Sequence, residues 1–319
     1  MNNKIYALGM ALLLAGNSAA PVQEQVQSNQ SETSVPSDID IVEIEIDPVY
    51  RMTVPVQIDG AGPYDFLIDT GSERTVVSTD LAGKLELEFV EQALLQSIAG
   101  SKVVDTAYVP DLTLGDQNYG GVIAPLLLTE DIGADGILGL DGLQNQRILF
   151  DFRREVIEIE DIADASNKGY EIVVTGRRKS GQLILTNAMI SGIDVTVVID
   201  TGAQSSIGNR ALQRRLSGKR AKGTDTQSEL HAVTGHTIMA DSGIAKDFRI
   251  GRAQFSHIGI AFADALPFKT LGLENKPALF LGMSVLRKFD RVAIDFRKRR
   301  VLFDLPRNAR PTRDRRFRS

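Results

Sequence analysis

The chain has 319 residues, 43% of them apolar and 24% charged, with a net charge of -5 at neutral pH. That length has room for two packed domains, and the acidic balance argues against a nucleic-acid-binding body. The absence of cysteine excludes disulfides, a thiol nucleophile and attachment of lipid through a cysteine.

In chain order, Met1-Asn2-Asn3-Lys4 leads into the apolar stretch Ile5 to Gly16 and then Asn17-Ser18-Ala19-Ala20. One positive charge, a short apolar run and small residues at its end describe an export signal too short to span a bilayer. Residues 1–20 are therefore expected to be a signal peptide, and the protein to be exported, periplasmic or secreted. Residues 21–41, rich in Gln, Ser, Glu, Asn and Pro, read as a disordered leader. No later segment approaches about 20 consecutive apolar residues, so no integral membrane segment is expected in the mature form.

Short β-forming runs punctuated by Gly, Pro, Asp and Asn follow. Met52 to Ile58 is predicted as a strand, 59–63 as a turn, Tyr64 to Ile68 as a second strand and Thr75 to Ser78 as a third, with a short helix from Thr79 to Lys84. Beyond a seam at Asp161 to Lys168 the pattern returns. Strands are predicted at Leu183 to Ile190, Val195 to Ile199 and Ser205 to Ile207, and a helix from Asn209 to Leu216.

The second half reads as an imperfect copy of the first. Asp69-Thr70-Gly71 ends the apolar run Phe66-Leu67-Ile68, and Asp200-Thr201-Gly202 ends Val197-Val198-Ile199. Ile137-Leu138-Gly139 recurs as Phe280-Leu281-Gly282, and Arg147-Ile148-Leu149-Phe150-Asp151-Phe152 as Arg291-Val292-Ala293-Ile294-Asp295-Phe296. The spacing of equivalents grows from 131 at the Asp-Thr-Gly copies to 144 at Asp151 and Asp295, as loop insertions into the second copy would produce. Each copy is far longer than a solenoid repeat, so two lobes related by a pseudo-twofold are expected.

A carboxylate at the end of a buried strand, followed by a hydroxyl residue and a glycine, sits on a tight turn that backbone N–H groups and a substrate can approach closely. Two such turns face to face give two acids able to share one proton. A turn flanked by strand formers lies between each Asp-Thr-Gly and its Leu-Gly motif: Ala99-Gly100-Ser101 and Thr234-Gly235-His236. Hairpins there could fold over a cleft as lids, which makes Gly100, Ser101, Gly235 and His236 flap candidates.

Other chemistries have little support. His231, His236 and His257 lack a metal-ligand spacing, so no metal is expected. His231 and His236 read as exposed residues around the second hairpin. Gly282-Met283-Ser284-Val285-Leu286 lacks the final glycine of a serine-hydrolase elbow, and no phosphate-binding glycine loop is present.

These motifs resemble the pepsin and retropepsin-like aspartic peptidases, whose hallmark is an apolar run entering Asp-Thr-Gly-Ser or Asp-Thr-Gly-Ala with an apolar-apolar-Gly motif later in the lobe. Here those are Asp69-Thr70-Gly71-Ser72 with Ile137-Leu138-Gly139, and Asp200-Thr201-Gly202-Ala203 with Phe280-Leu281-Gly282. The resemblance covers about Val42 to Pro306 and looks like a tandem single-chain bacterial member. It implies an all-β, bilobal acid-protease fold of two retropepsin-like lobes with short helices, at 42–162 and 168–306, followed by a basic tail at 307–319.

The resemblance also implies an aspartic endopeptidase with no cofactor, acting on peptide or protein substrates as a monomer with an internal pseudo-dimer. Asp69 and Asp200 would be the catalytic pair, supported by Thr70, Gly71, Ser72, Thr201, Gly202 and Ala203. The first flap candidate lacks the tyrosine that larger members carry, and Leu140-Asp141 and Met283-Ser284 replace the arginine-containing helix start of viral members. A non-catalytic peptide-binding or scaffolding module that keeps the fold is the alternative.

Overall fold

The computed structural model describes residues 52–143, 146–161, 170–179, 182–217 and 227–306, together with the backbone strands Ile5–Tyr6, Leu12–Leu14, Ile39–Glu43 and Glu45–Ile46. The rest of the expected signal peptide and leader, the expected seam beyond Asp161 and the basic tail lie outside the described residues. Ile39–Glu43 overlaps the end of the expected leader and pairs antiparallel with Val156–Glu160.

The protein is mostly β and forms two lobes of the same topology. In the first, Ala61–Ile68 pairs antiparallel with Met52–Ile58 and parallel with Gly136–Leu138. Gly136–Leu138 pairs antiparallel with Val76–Ser78, which pairs parallel with Val122–Leu127. The second lobe repeats each step: Ile193–Ile199 pairs with Gln182–Ile190 and, parallel, with Ala278–Leu281. Ala278–Leu281 pairs with Ser206–Gly208, which pairs parallel with Ala253–Phe262.

Local chemistry accounts for the boundaries. Met52–Ile58 alternates buried and exposed residues from Val54 onward, the signature of a half-buried strand. Thr79–Lys84 is a helix because the Ser78 hydroxyl accepts the Leu81 N–H at 3.1 Å, with Asp80 in the first turn and Lys84 in the last. The corresponding helix of the second lobe, Arg210–Ser217, is likewise opened by Asn209, whose side-chain oxygen accepts the Leu212 N–H at 2.9 Å.

The two lobes join through a sheet in the order Ile172–Lys179, Arg300–Asp304, Arg291–Asp295, Gln146–Asp151, Val156–Asp161, Ile39–Glu43. At its centre the repeated segments meet each other antiparallel, with Arg147 opposite Asp295, Leu149 opposite Ala293 and Asp151 opposite Arg291. Leu149 and Ala293 are equivalent positions in the duplication, so the pseudo-twofold axis passes between them. One face of this platform carries Ile148, Phe150, Ile294 and Phe303 into the main core. On its other face Leu149, Ala293 and Leu302 pack against Tyr170.

Candidate active site

Each Asp-Thr-Gly turn leaves the end of the central strand of its lobe. The Asp69 N–H donates to Leu138 O and the Asp200 N–H to Leu281 O, both at 3.1 Å. The Leu-Gly motifs follow from this geometry. A Cβ on Gly139 would stand 2.3 Å from the Arg74 backbone, and one on Gly282 would stand 2.6 Å from Ser205 O. Only glycine lets the two chains pass.

The turns meet across the axis. Thr70 Oγ1 donates to Ile199 O at 3.0 Å and Thr201 Oγ1 to Ile68 O at 2.8 Å. Each hydroxyl also accepts the other threonine's N–H, at 3.2 Å for Thr70 Oγ1 and 3.0 Å for Thr201 Oγ1. Both threonines are buried, so this reciprocal set satisfies backbone groups that would otherwise be orphaned where the lobes touch.

The two carboxyls are 1% and 2% exposed and are neighbours, since a Cβ on Gly71 would lie within 3.0 Å of an oxygen of each. Asp69 Oδ1 accepts the Gly71 N–H at 2.7 Å and the Ser72 N–H at 3.2 Å, while Asp200 Oδ1 accepts the Ala203 N–H at 3.0 Å. The glycines sit across the axis: a Cβ on Gly71 would lie 2.8 Å from Asp200 Oδ1, and one on Gly202 would lie 2.3 Å from Asp69 Oδ2. Ser72 Oγ donates to Arg74 O at 2.7 Å; Ala203 is buried and has no hydroxyl for that bond.

Burial pushes the Asp69 carboxyl up to about 7, against the lowering effect of its backbone donors. Asp200 is raised well above the carboxylate range by burial first and by the negative charge of Asp69 second. Two acids this close titrate as a pair, so the raised values belong to the pair and not to either residue.

The two hairpin tips trade places between the lobes. The first hairpin runs from Glu88–Ser97 to Gly100–Val109, the second from Gln227–His231 to Thr237–Ile250. Ile98, at the first tip, is 2% exposed and packs in a cluster of the second lobe with Ile207, Phe268 and Phe280. Val233, at the second tip, is equally buried among Leu67, Val76, Leu127 and Ile132 of the first lobe. The crossing is tied by Ser97 Oγ and Thr234 Oγ1 at 2.8 Å, by Lys102 Nζ donating to Thr234 O at 3.3 Å, and by the Leu266 N–H donating to Ile98 O at 3.2 Å.

All four flap candidates lie at this crossing. Gly100 and Gly235 adopt φ values of 141° and 78°, which favour glycine. A Cβ on Gly100 would lie 4.0 Å from His236 Nδ1, which shares a 3.0 Å hydrogen bond with Thr234 Oγ1. Ser101 and His236 are exposed. His231 departs from its expected exposure: its strand pairs with Thr237 in the hairpin, and its side chain is 24% exposed beside Glu229.

Sequence reasoning missed several residues. Gln182 is fully buried, and its amide donates to Gly71 O at 2.8 Å across the lobe boundary. Glu73, four residues beyond Asp69, is pushed up to about 7 by burial, and its Oε1 has no partner. Its counterpart in the second copy is Gln204. Ile98 and Val233 could have been found from the duplication, since each stands two residues before its turn glycine.

Two regions, residues 54–141 and 186–285, match the family described as aspartyl protease. Together they span more than half of the chain, one match in each lobe, and the chain belongs to the aspartyl protease family. No curated protein matches it.

Proposed function

We propose that the protein is an aspartic endopeptidase in which Asp69 and Asp200 share a proton and activate water against a peptide bond. The observation that carries this reading is the pair of buried carboxyls brought together across the pseudo-twofold axis, with an oxygen of each within 3.0 Å of where a Gly71 Cβ would sit. The ionised member takes a proton from water, which attacks the amide carbon, and the protonated member donates to the carbonyl oxygen. Backbone donors at Gly71, Ser72 and Ala203 hold the carboxyls in place, so little reorganisation accompanies the transfer.

Thr70 and Thr201 position the turns, and Gly71 and Gly202 leave room above them. The hairpins at Gly100 and Gly235 act as lids that part for an extended chain and close over it. The first tip, with Ile238, Leu266 and Phe268, lines an apolar cavity of about 370 Å³, large enough for a bulky side chain. The lobes at 42–162 and 168–306 form an internal pseudo-dimer, so a single chain is the working unit. The sequence at 1–20 supports export to the periplasm or beyond.

The test is incubation of the purified protein with unfolded proteins and a peptide library from acid to neutral pH, beside Asp69→Asn and Asp200→Asn. Either substitution is expected to abolish cleavage while the protein stays folded. Cleavage that persists in both variants, or peptide binding without cleavage by the unaltered protein, overturns the proposal.

A further inference from the structure

The duplicated lobes have opposite charge. Residues 52–161 hold 20 Asp and Glu against 6 Lys and Arg, a net charge of -14. Residues 170–306 hold 12 against 21, a net of +9, and 307–319 add a further +5. A small net charge over the whole chain therefore conceals a strong dipole between its halves, and such asymmetry points to an anionic partner for the basic half.

The fold gathers part of that charge at one corner of the second lobe. The strand Ile172–Lys179 ends in Arg177, Arg178 and Lys179. The turn between Arg291–Asp295 and Arg300–Asp304 carries Arg297, Lys298 and Arg299. The Gly176 N–H donates to Arg299 O at 2.7 Å, and Thr175 stands opposite Arg300, so the two basic runs are neighbours. All six cations are exposed, whereas Asp295, the nearest acid in the turn, is fully buried and paired with Arg300.

We infer that this corner docks the protein on an anionic phospholipid surface. A flat field of headgroups can meet both runs at once, and the lobe dipole orients the molecule before contact. Val173, 48% exposed, shares the outward side of the strand with Thr175 and Arg177 and can enter the headgroup layer. Single-stranded nucleic acid fits less well, because its capture depends on aromatic stacking. The exposed large apolar residues described in this lobe are Val173, Met189, Met239 and Ile244, while the exposed Phe89 and Tyr108 belong to the acidic lobe.

The test is co-sedimentation of the full chain with phosphatidylcholine vesicles with and without phosphatidylglycerol, and gel shift of a single-stranded oligonucleotide at the same salt. Binding is expected only with phosphatidylglycerol and lost between about 0.1 M and about 1 M salt as screening shortens. The quintuple variant Arg177→Glu, Arg178→Glu, Arg297→Glu, Lys298→Glu, Arg299→Glu should weaken it at least about tenfold with unchanged circular dichroism. Removal of 307–319 should leave most of the binding in place. Equal binding to neutral vesicles, an unaffected quintuple variant, binding carried by 307–319 alone, or tighter binding of the oligonucleotide than of vesicles would each overturn the inference.

Discussion

Replacing either member of the acid pair should make the protein more stable at neutral pH while removing its activity. Asp69 titrates at about 7 in the folded chain against an ordinary 3.8, so between those values the folded chain holds a proton that the unfolded chain has released. Stability then falls as pH rises, by about 1.4 kcal/mol per pH unit for that proton. Over roughly three units the loss is on the order of 4 kcal/mol, fully developed above pH 7 and absent below the unfolded value. Asn at position 69 has no proton to lose, keeps an oxygen for the Gly71 and Ser72 N–H groups, and can donate to Asp200. Urea unfolding of the original protein and of Asp69→Asn should therefore agree within about 1 kcal/mol near pH 4 and diverge by several kcal/mol in favour of the variant near pH 8. A difference that does not change with pH would refute the shared-proton account.

Gly202→Ala places a methyl group 2.3 Å from the Asp69 carboxylate; the pair must move apart, and peptide cleavage should fall at least about 100-fold in a protein whose far-ultraviolet circular dichroism is unchanged. Thr70→Val strands the buried Ile199 carbonyl and the Thr201 N–H, costing about 1–3 kcal/mol for each group. Thermal unfolding should show the loss, and Thr70→Ser should recover most of it. Because the chain has no cysteine, the double variant Ser97→Cys, Thr234→Cys can form only the bond that ties the crossed tips, whose hydroxyls are 2.8 Å apart. Oxidised protein should not cleave peptides, and dithiothreitol should restore cleavage; full activity of the oxidised form would show that substrate reaches the acids without parting the hairpins.

What the sequence made legible is what the duplication repeats locally. Met52 to Ile58 and Thr79 to Lys84 form the predicted elements with those bounds, because alternation and a serine cap are properties of a few neighbouring residues. The Leu-Gly motifs were visible for the same reason, although their purpose, letting one chain pass 2.3 Å from where a Cβ would sit, required three dimensions. Contacts made across the axis left no local trace. Ile98 and Val233 look like ordinary turn-flanking residues until each is found inside the opposite lobe, and the buried Gln182 amide meets Gly71 O from the other half. A twofold arrangement brings equivalent positions together, so a difference between equivalents is a difference between the two sides of the site. Glu73 against Gln204 is such a difference, a carboxyl raised by burial in one copy and an amide in the other, each four residues beyond its aspartate. An extended peptide has direction and a symmetric pair of acids does not; the departures from the repeat are therefore where a preferred orientation of the bound chain has to originate.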